Sequence, residues 1–390
     1  MVESRRLRWI GPGVVALGSI GFVAATALGA GVHPWVLRAC SGPPTDGTAA
    51  ARDPGPPGVT DIPAGVRAEP WFRMDPVLDS DGALGGQRLA VALGGERNAR
   101  IMDLPAESFA AGPFGHVVLV GSDDGATSRL VAIDVVRGCS REIGEEPAVI
   151  RRATIDPAGT GIYEMRVDRV SRADLGIWLR PMDGRGPARR VLAPIAADGR
   201  FGRTYTTEFR WDVAGDRLAV QSCGEAACRI RVMSAGGASA VTVDAPDLGL
   251  LVGFEGDLVV TYGACRGLPC PIVVTDLRNG GRRTLASAAG MAVVVDSQAG
   301  PRLIHEIETP SGRTLRSVPL DGGAPSDLGS IPDGLDLHLA PVGVGAATRL
   351  PADWVLLAPD GRLPADRSGH RAQLRHLPDG MTVPLDEAAR

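Results

Sequence analysis

The chain has 390 residues, with 41 cationic side chains against 45 carboxylates and a net charge of −4, and every one of the 41 is Arg. That balance gives no electrostatic case for nucleic acid as a partner, and the lack of Lys excludes Schiff-base chemistry and the Lys of a phosphate-binding loop. The 52 Gly and 31 Pro make about a fifth of the chain and argue against long helices, while 44% hydrophobic residues are too many for global disorder.

In chain order, residues 1–8 form a basic cytoplasmic segment. Arg5, Arg6 and Arg8 precede an uncharged stretch from Trp9 to Leu37. Such a run is long enough to cross a bilayer, and the charge asymmetry places the N-terminus inside and the rest outside. Trp9 and Trp35 bracket it. As a helix, their separation is roughly 39 Å, close to the ~40–45 Å of a bilayer with its headgroups, which suits a retained single-pass signal anchor. Two alternatives stand beside it. Ala25-Thr26-Ala27 is a cleavage signal for a secreted protein. Leu37-Arg38-Ala39-Cys40 is similar to a lipobox, which would put a lipid on Cys40 of a lipoprotein. All three export the remainder. Residues 38–69, rich in Pro, Gly, Ala and Thr, read as a disordered tether between membrane and domain.

Residues 70–390 carry the globular domain. Five of the six Cys lie there: Cys139, Cys223, Cys228, Cys265 and Cys270, with Cys40 just before it. Cys223–Cys228 and Cys265–Cys270 share one spacing, and strand-like alternation flanks them. Leu218 and Val220 oppose Ala219 and Gln221; Ile230 and Val232 oppose Arg229 and Arg231. A four-residue hairpin loop brings such Cys within disulfide range, and export makes oxidation the default. A four-Cys zinc site is the rival reading, and no metal is expected. Cys40 and Cys139 either pair, or Cys40 is lipidated and Cys139 is free.

Self-similarity organises the rest. Asp156-Pro157-Ala158-Gly159 precedes Ile162-Tyr163; Asp212 to Asp216 precedes Leu218-Ala219-Val220; Ala358-Pro359-Asp360-Gly361 precedes Leu363. Second strands end on Gly turns such as Asn279-Gly280-Gly281 and Asp321-Gly322-Gly323. A period of about 40–55 residues is that of one four-stranded propeller blade. These turns resemble the TolB-like, or WD40-like, β-propeller repeats of bacterial envelope proteins. The resemblance implies an all-β propeller of about six blades, centred near residues 116–143, 149–192, 205–243, 250–285, 291–328 and 335–385. Gln87 to Leu93 would complete the last blade and close the ring. Seven blades result if residues 70–110 form more than that strand.

No nucleophile elbow and no His-Glu-x-x-His occurs, and the six His are scattered. Asp79-Ser80-Asp81-Gly82 and Ser122-Asp123-Asp124-Gly125 read as turns, the latter with solvated acids. Trp178, Trp211 and Trp354 read as blade core. The leading expectation is a membrane-anchored, extracytoplasmic, non-catalytic scaffold with no cofactor that binds an envelope protein or cell-surface component. The alternative is an enzyme, or a small-molecule or metal-binding protein, with its site in the propeller's axial channel.

Overall fold

The computed structural model describes residues 37–40, 70–79, 84–93, 100–114, 116–195, 205–212, 216–224, 228–237, 240–245, 249–263, 265, 267–338, 353–359 and 373–384. Arg5, Arg6, Arg8, Trp9 and Trp35 lie outside them, as does the apolar run up to residue 36. Among the described residues no helix is long and apolar enough to cross a membrane.

The described residues form seven sheets. Strand β1 (Arg38–Ala39) comes first in the chain. Sheet I holds β2 (Pro70–Leu78), β3 (Leu84–Leu93) and β4 (Arg100–Leu104). Sheet II holds β5 (Phe109–Phe114), β6 (Val117–Asp123), β7 (Ser128–Asp134) and β8 (Cys139–Glu146), with β1 added beside β8. Sheet III is β9 (Val149–Ile155), β10 (Gly161–Val167), β11 (Asp174–Pro181) and β12 (Arg189–Leu192). Sheet IV is β13 (Tyr205–Trp211), β14 (Arg217–Cys223), β15 (Cys228–Ser234) and β16 (Ala240–Ala245). Sheet V is β17 (Leu251–Glu255), β18 (Leu258–Tyr262), β19 (Cys270–Asp276) and β20 (Arg282–Ala289). Sheet VI is β21 (Ala292–Val295), β22 (Arg302–Thr309), β23 (Gly312–Pro319) and β24 (Ser326–Ser330). Sheet VII is β25 (Leu335–His338), β26 (Trp354–Pro359), β27 (Gln373–His376) and β28 (Thr382–Pro384). Apart from β1, each is an antiparallel meander, and sheets II to VII fall where the repeats place them.

The core explains the stacking. Strand side chains alternate between faces, and here both faces are apolar. Val118 and Val120 pack with Leu89 and Val91 of sheet I, whereas Val117 and Leu119 pack with Ile150 and Ile162 of sheet III. Leu218 and Val220 pack on Tyr163 and Met165 of sheet III, while Ala219 packs on Leu251 and Phe254 of sheet V. Two further apolar layers join sheets V to VI and VI to VII. Strand β10 is therefore buried along its whole length. The first strands of successive sheets lie against one another, as in a propeller-like stack.

Local chemistry sets the turns. Asp156 accepts hydrogen bonds from the Thr160 N–H (2.7 Å) and hydroxyl (2.8 Å), and Gly159 takes φ +71° to close the reversal. Asp212 accepts from the Asp216 and Arg217 N–H groups in the same way.

Three expectations change. Gln87 to Leu93 does not complete the last blade: it is the middle of sheet I, paired with β2 and β4, and no ladder joins β28 to it among the described residues. The Pro residues that disguise β2 are tolerated because β2 is an edge strand. Residues 38–40 are not tether. Arg38 and Ala39 pair in parallel with Cys139 and Ser140, and the Cys40 N–H donates to the Ser140 carbonyl at 3.0 Å. Cys40 is disulfide-bonded to Cys139, so it has no thiol to carry a lipid.

This bond spans a sequence separation of 99 residues, and closing so long a loop restrains the unfolded chain strongly. Replacing Cys40 and Cys139 together by Ser is expected to lower the unfolding free energy by about 2–4 kcal/mol, measured by urea denaturation. A non-reducing peptide map of the parent is expected to link the two Cys.

Candidate functional site

The meanders give the stack two faces. One carries the loops between second and third strands together with the connections entering each first strand. Here Arg169, in the loop after β10, grips Asp123, at the end of β6, with two hydrogen bonds of 2.8 Å. The guanidinium holds the Asp123 carboxyl down at about 2, against partial burial. Asp123 is thus a fixed anchor rather than a solvated acid. On the same face Thr206 donates to Asp174 at 2.7 Å, joining sheets III and IV. The loops of sheets IV and V are closed by the Cys223–Cys228 and Cys265–Cys270 disulfides, the former between directly paired residues. The opposite face carries the tight turns, stitched by Arg141 to the Met182 carbonyl, Arg189 to the Gly236 carbonyl and Arg217 to Asp257.

Two polar clusters sit between sheets on structural grounds. Glu164, Arg166, Trp178 and Arg180 share one face of sheet III, and Glu146 of sheet II closes a box with them. Glu164 accepts from Arg166 Nε at 2.7 Å and from Arg180 Nε at 2.6 Å, and Glu146 pairs with both guanidinium groups. Glu164 is fully buried, and Arg166 and Arg180 nearly so. Gly144 makes room for Arg180, which a Cβ there would strike. Trp178, expected in the core, is only half-buried: the Arg166 guanidinium lies 4.6 Å from its ring centroid. Trp211 and Trp354 are buried, Trp211 edge-on to Tyr163. The second cluster lies on the first strands. Arg152 and Arg210 both bond Glu208, at 2.8 and 2.9 Å, and burial pushes the Arg210 guanidinium down.

A third feature is open. At the loop face between sheets V, VI and VII lies a cavity of about 310 Å³, lined by Leu268, Met291, Glu306, Glu308, Arg313 and Asp336 among others. The Cys265–Cys270 loop supplies Leu268 and Pro269 to it. Glu306 is the fifth residue of its second strand, counted from the first pair with the third strand, and Gln221 and Tyr262 hold the equivalent places in β14 and β18. All three side chains reach the next sheet's backbone. Gln221 accepts from the Leu251 N–H (3.0 Å) and donates to the Gly249 carbonyl (2.5 Å). The Tyr262 hydroxyl donates to the Gly290 carbonyl (3.1 Å), and burial pushes the phenol up to about 12. Glu306 accepts from the Leu337 N–H at 2.6 Å, with Arg313 Nη1 3.6 Å from its other oxygen. Arg313 itself is engaged by Asp336 and the Leu335 carbonyl. Burial raises the Glu306 carboxyl above its ordinary value of 4.5. A carboxyl therefore stands where the neighbouring sheets use neutral groups, and it opens on a cavity. Among the described residues no three of His, Cys, Asp and Glu are grouped to hold a metal ion.

No protein-family model and no curated protein matches the chain. Among solved structures it is similar to a prolyl endopeptidase, at TM-score 0.51 and 10% identity over 82% of this chain and 50% of that one. It is similar to the oligogalacturonate lyase of Vibrio parahaemolyticus, at TM-score 0.51 and 8% identity over 80% of this chain and 84% of that one. TolB from Acinetobacter baumannii aligns at TM-score 0.41 and 15% identity, over 70% and 67% of the two chains. The chain spans half the length of the prolyl endopeptidase. At these identities the likeness is one of fold: an all-β, propeller-like stack of sheets.

Two outcomes follow from the buried groups. Glu164→Ala leaves two buried guanidinium groups with Glu146 as the one carboxylate still shared between them, and is expected to cost about 3–5 kcal/mol in urea denaturation. Glu306 has a raised pKa in the fold, so its contribution is fully present below about pH 4.5 and is lost as pH rises through the folded value. Glu306→Gln is therefore expected to be at least as stable as the parent at pH 7. Its advantage should vanish below pH 4.5, as thermal midpoints measured across pH 4–8 will show.

Proposed function

We propose that the protein is an extracytoplasmic, membrane-anchored, propeller-like binding protein that takes a small cationic ligand, a primary ammonium group, in the cavity at Glu306, without turnover. One observation carries the reading: a buried carboxyl with a raised pKa opens on a cavity beside Glu308 and Asp336, and the one guanidinium among the cavity-lining residues is already engaged. An ammonium ion there would compensate a charge that burial disfavours. Rigid walls suit such a site, and the disulfide-closed loop supplies one of them. This moves the ligand site from the propeller axis to a boundary between sheets. The first strands of sheets III and IV instead bring two Arg to one Glu, a poor ligand set for a divalent cation. Export is supported by the apolar run before Arg38 and by three disulfides.

A second reading, a docking platform for an envelope protein, is favoured by a separate observation. The exposed apolar residues Val170, Leu250 and Leu268 all belong to the loop face.

Calorimetric titration of the oxidised protein with alkylammonium salts, amino-acid methyl esters and matched carboxylates discriminates the two. The cavity reading expects amines to bind, with affinity at least tenfold weaker in Glu306→Gln, and carboxylates not to bind. No amine binding below about 1 mM, combined with retention of one envelope protein by the parent but not by a Val170→Ser, Leu250→Ser, Leu268→Ser variant, overturns it in favour of the platform.

A further inference from the structure

The way the chain enters the domain fixes more than its stability. The uncharged stretch ends at Leu37, and Leu37 is packed against the apolar layer between sheets I and II. Arg38 follows at once as β1, with Cys40 bonded to Cys139. From Trp35, at the expected bilayer interface, to Arg38 there are three residues, a reach of at most about 10 Å. Residues 41–69 add nothing to that reach, because Cys40, which precedes them, is already bonded to the domain through Cys139.

The direction of entry is equally defined. β1 runs parallel to β8, and Arg38 is opposite Cys139, the first residue of β8. The Arg38 guanidinium reaches the carbonyl of Arg137, in the turn between β7 and β8. The chain therefore arrives from the turn face, beside Val136 (50% exposed) and the half-exposed Arg137. The loop face lies at the other end of the strands, about 20–25 Å away for seven residues of β6.

Resting on the retained-anchor reading above, we propose that the turn face of sheet II, with Arg38, Val136 and Arg137, is a membrane-contact surface that sits on the lipid headgroups and holds the loop face and its cavity away from the bilayer. The two Arg suit an anionic lipid surface, and Val136 is an exposed apolar side chain at the same corner. The Cys40–Cys139 bond makes this contact permanent, since the strand β1 alone is only two residues long.

The test uses the full-length oxidised chain in vesicles of phosphatidylcholine and phosphatidylglycerol. An environment-sensitive fluorescent amino acid is placed at Val136 or at Val170, which is 92% exposed on the loop face. Headgroup-nitroxide lipid is expected to quench the label at 136 at least threefold more than the label at 170. Inserting 30 Gly/Ser residues between Leu37 and Arg38 is expected to abolish that contrast, because such a linker spans roughly 30 Å. The same insertion between residues 41 and 69 is expected to preserve it. Equal or reversed quenching in protein that floats with the vesicles overturns the orientation alone. Contrast that survives the first insertion, or is lost with the second, overturns the staple as its cause. If the chain does not float, and its intact mass lacks residues 9–37, the anchor reading fails and the orientation falls with it.

Discussion

Sheets with two apolar faces need a neighbour on each side, and this constraint organises the molecule. In a half-exposed meander the second strand alternates apolar and polar residues. In β10 and β14 it does not: Ile162 packs toward sheet II while Tyr163 packs toward sheet III's other neighbour, and Leu218 and Ala219 divide in the same way. A single such sheet would leave one apolar face in water. Stacking removes that cost at every internal boundary, and the first strands converge because each sheet repeats the same relation to the last.

Beyond the turns, buried polar side chains in this stack are held in two main ways. At the sheet ends they bond the neighbouring sheet's backbone, as Gln221, Tyr262 and Glu306 do from one structural position. Between the sheets they must be paired, because an isolated charge there is prohibitively costly. The Glu146–Glu164–Arg166–Arg180 box satisfies that rule within sheets II and III. Glu306 only partly satisfies it: a backbone N–H covers one oxygen, and the other faces Arg313 across 3.6 Å at a cavity. The chemical interest of the site comes from this difference among equivalent positions.

The repeats were legible because turn chemistry is local. Asp156, Gly159 and Asp212 announce their reversals within five residues, and the spacing of such turns locates sheets II to VII. Sheet I was not legible as a unit, because Pro70 and Pro76 break the strand pattern at an edge where they do no harm. The Cys223–Cys228 hairpin could be read from the Cys spacing and the alternation that flanks it. The Glu164 box, the Asp123–Arg169 grip and the Glu306 cavity could not. Glu164 and Arg180 are 16 residues apart and Asp123 and Arg169 46, and such partners meet only once the strands and sheets are aligned. The equivalence of Gln221, Tyr262 and Glu306 was present as a signal, but it needs the strand register to be seen.

The segment between Cys40 and Pro70 shows how one covalent bond changes the meaning of a sequence. Read alone, its Pro and Gly describe a spacer. Once Cys40 is bonded to Cys139, the chain is already fixed to the domain before those residues begin. The described chain passes directly from Leu37 through β1 to its pairing with β8. Leu37 and β1 therefore enter at the turn face of sheet II, and the loop face lies at the other end of the strands. At the loop face the Asp123–Arg169 grip joins sheets II and III, and the two disulfides each close the loop between the second and third strands of sheets IV and V, so covalent and ionic cross-links concentrate at this end of the stack.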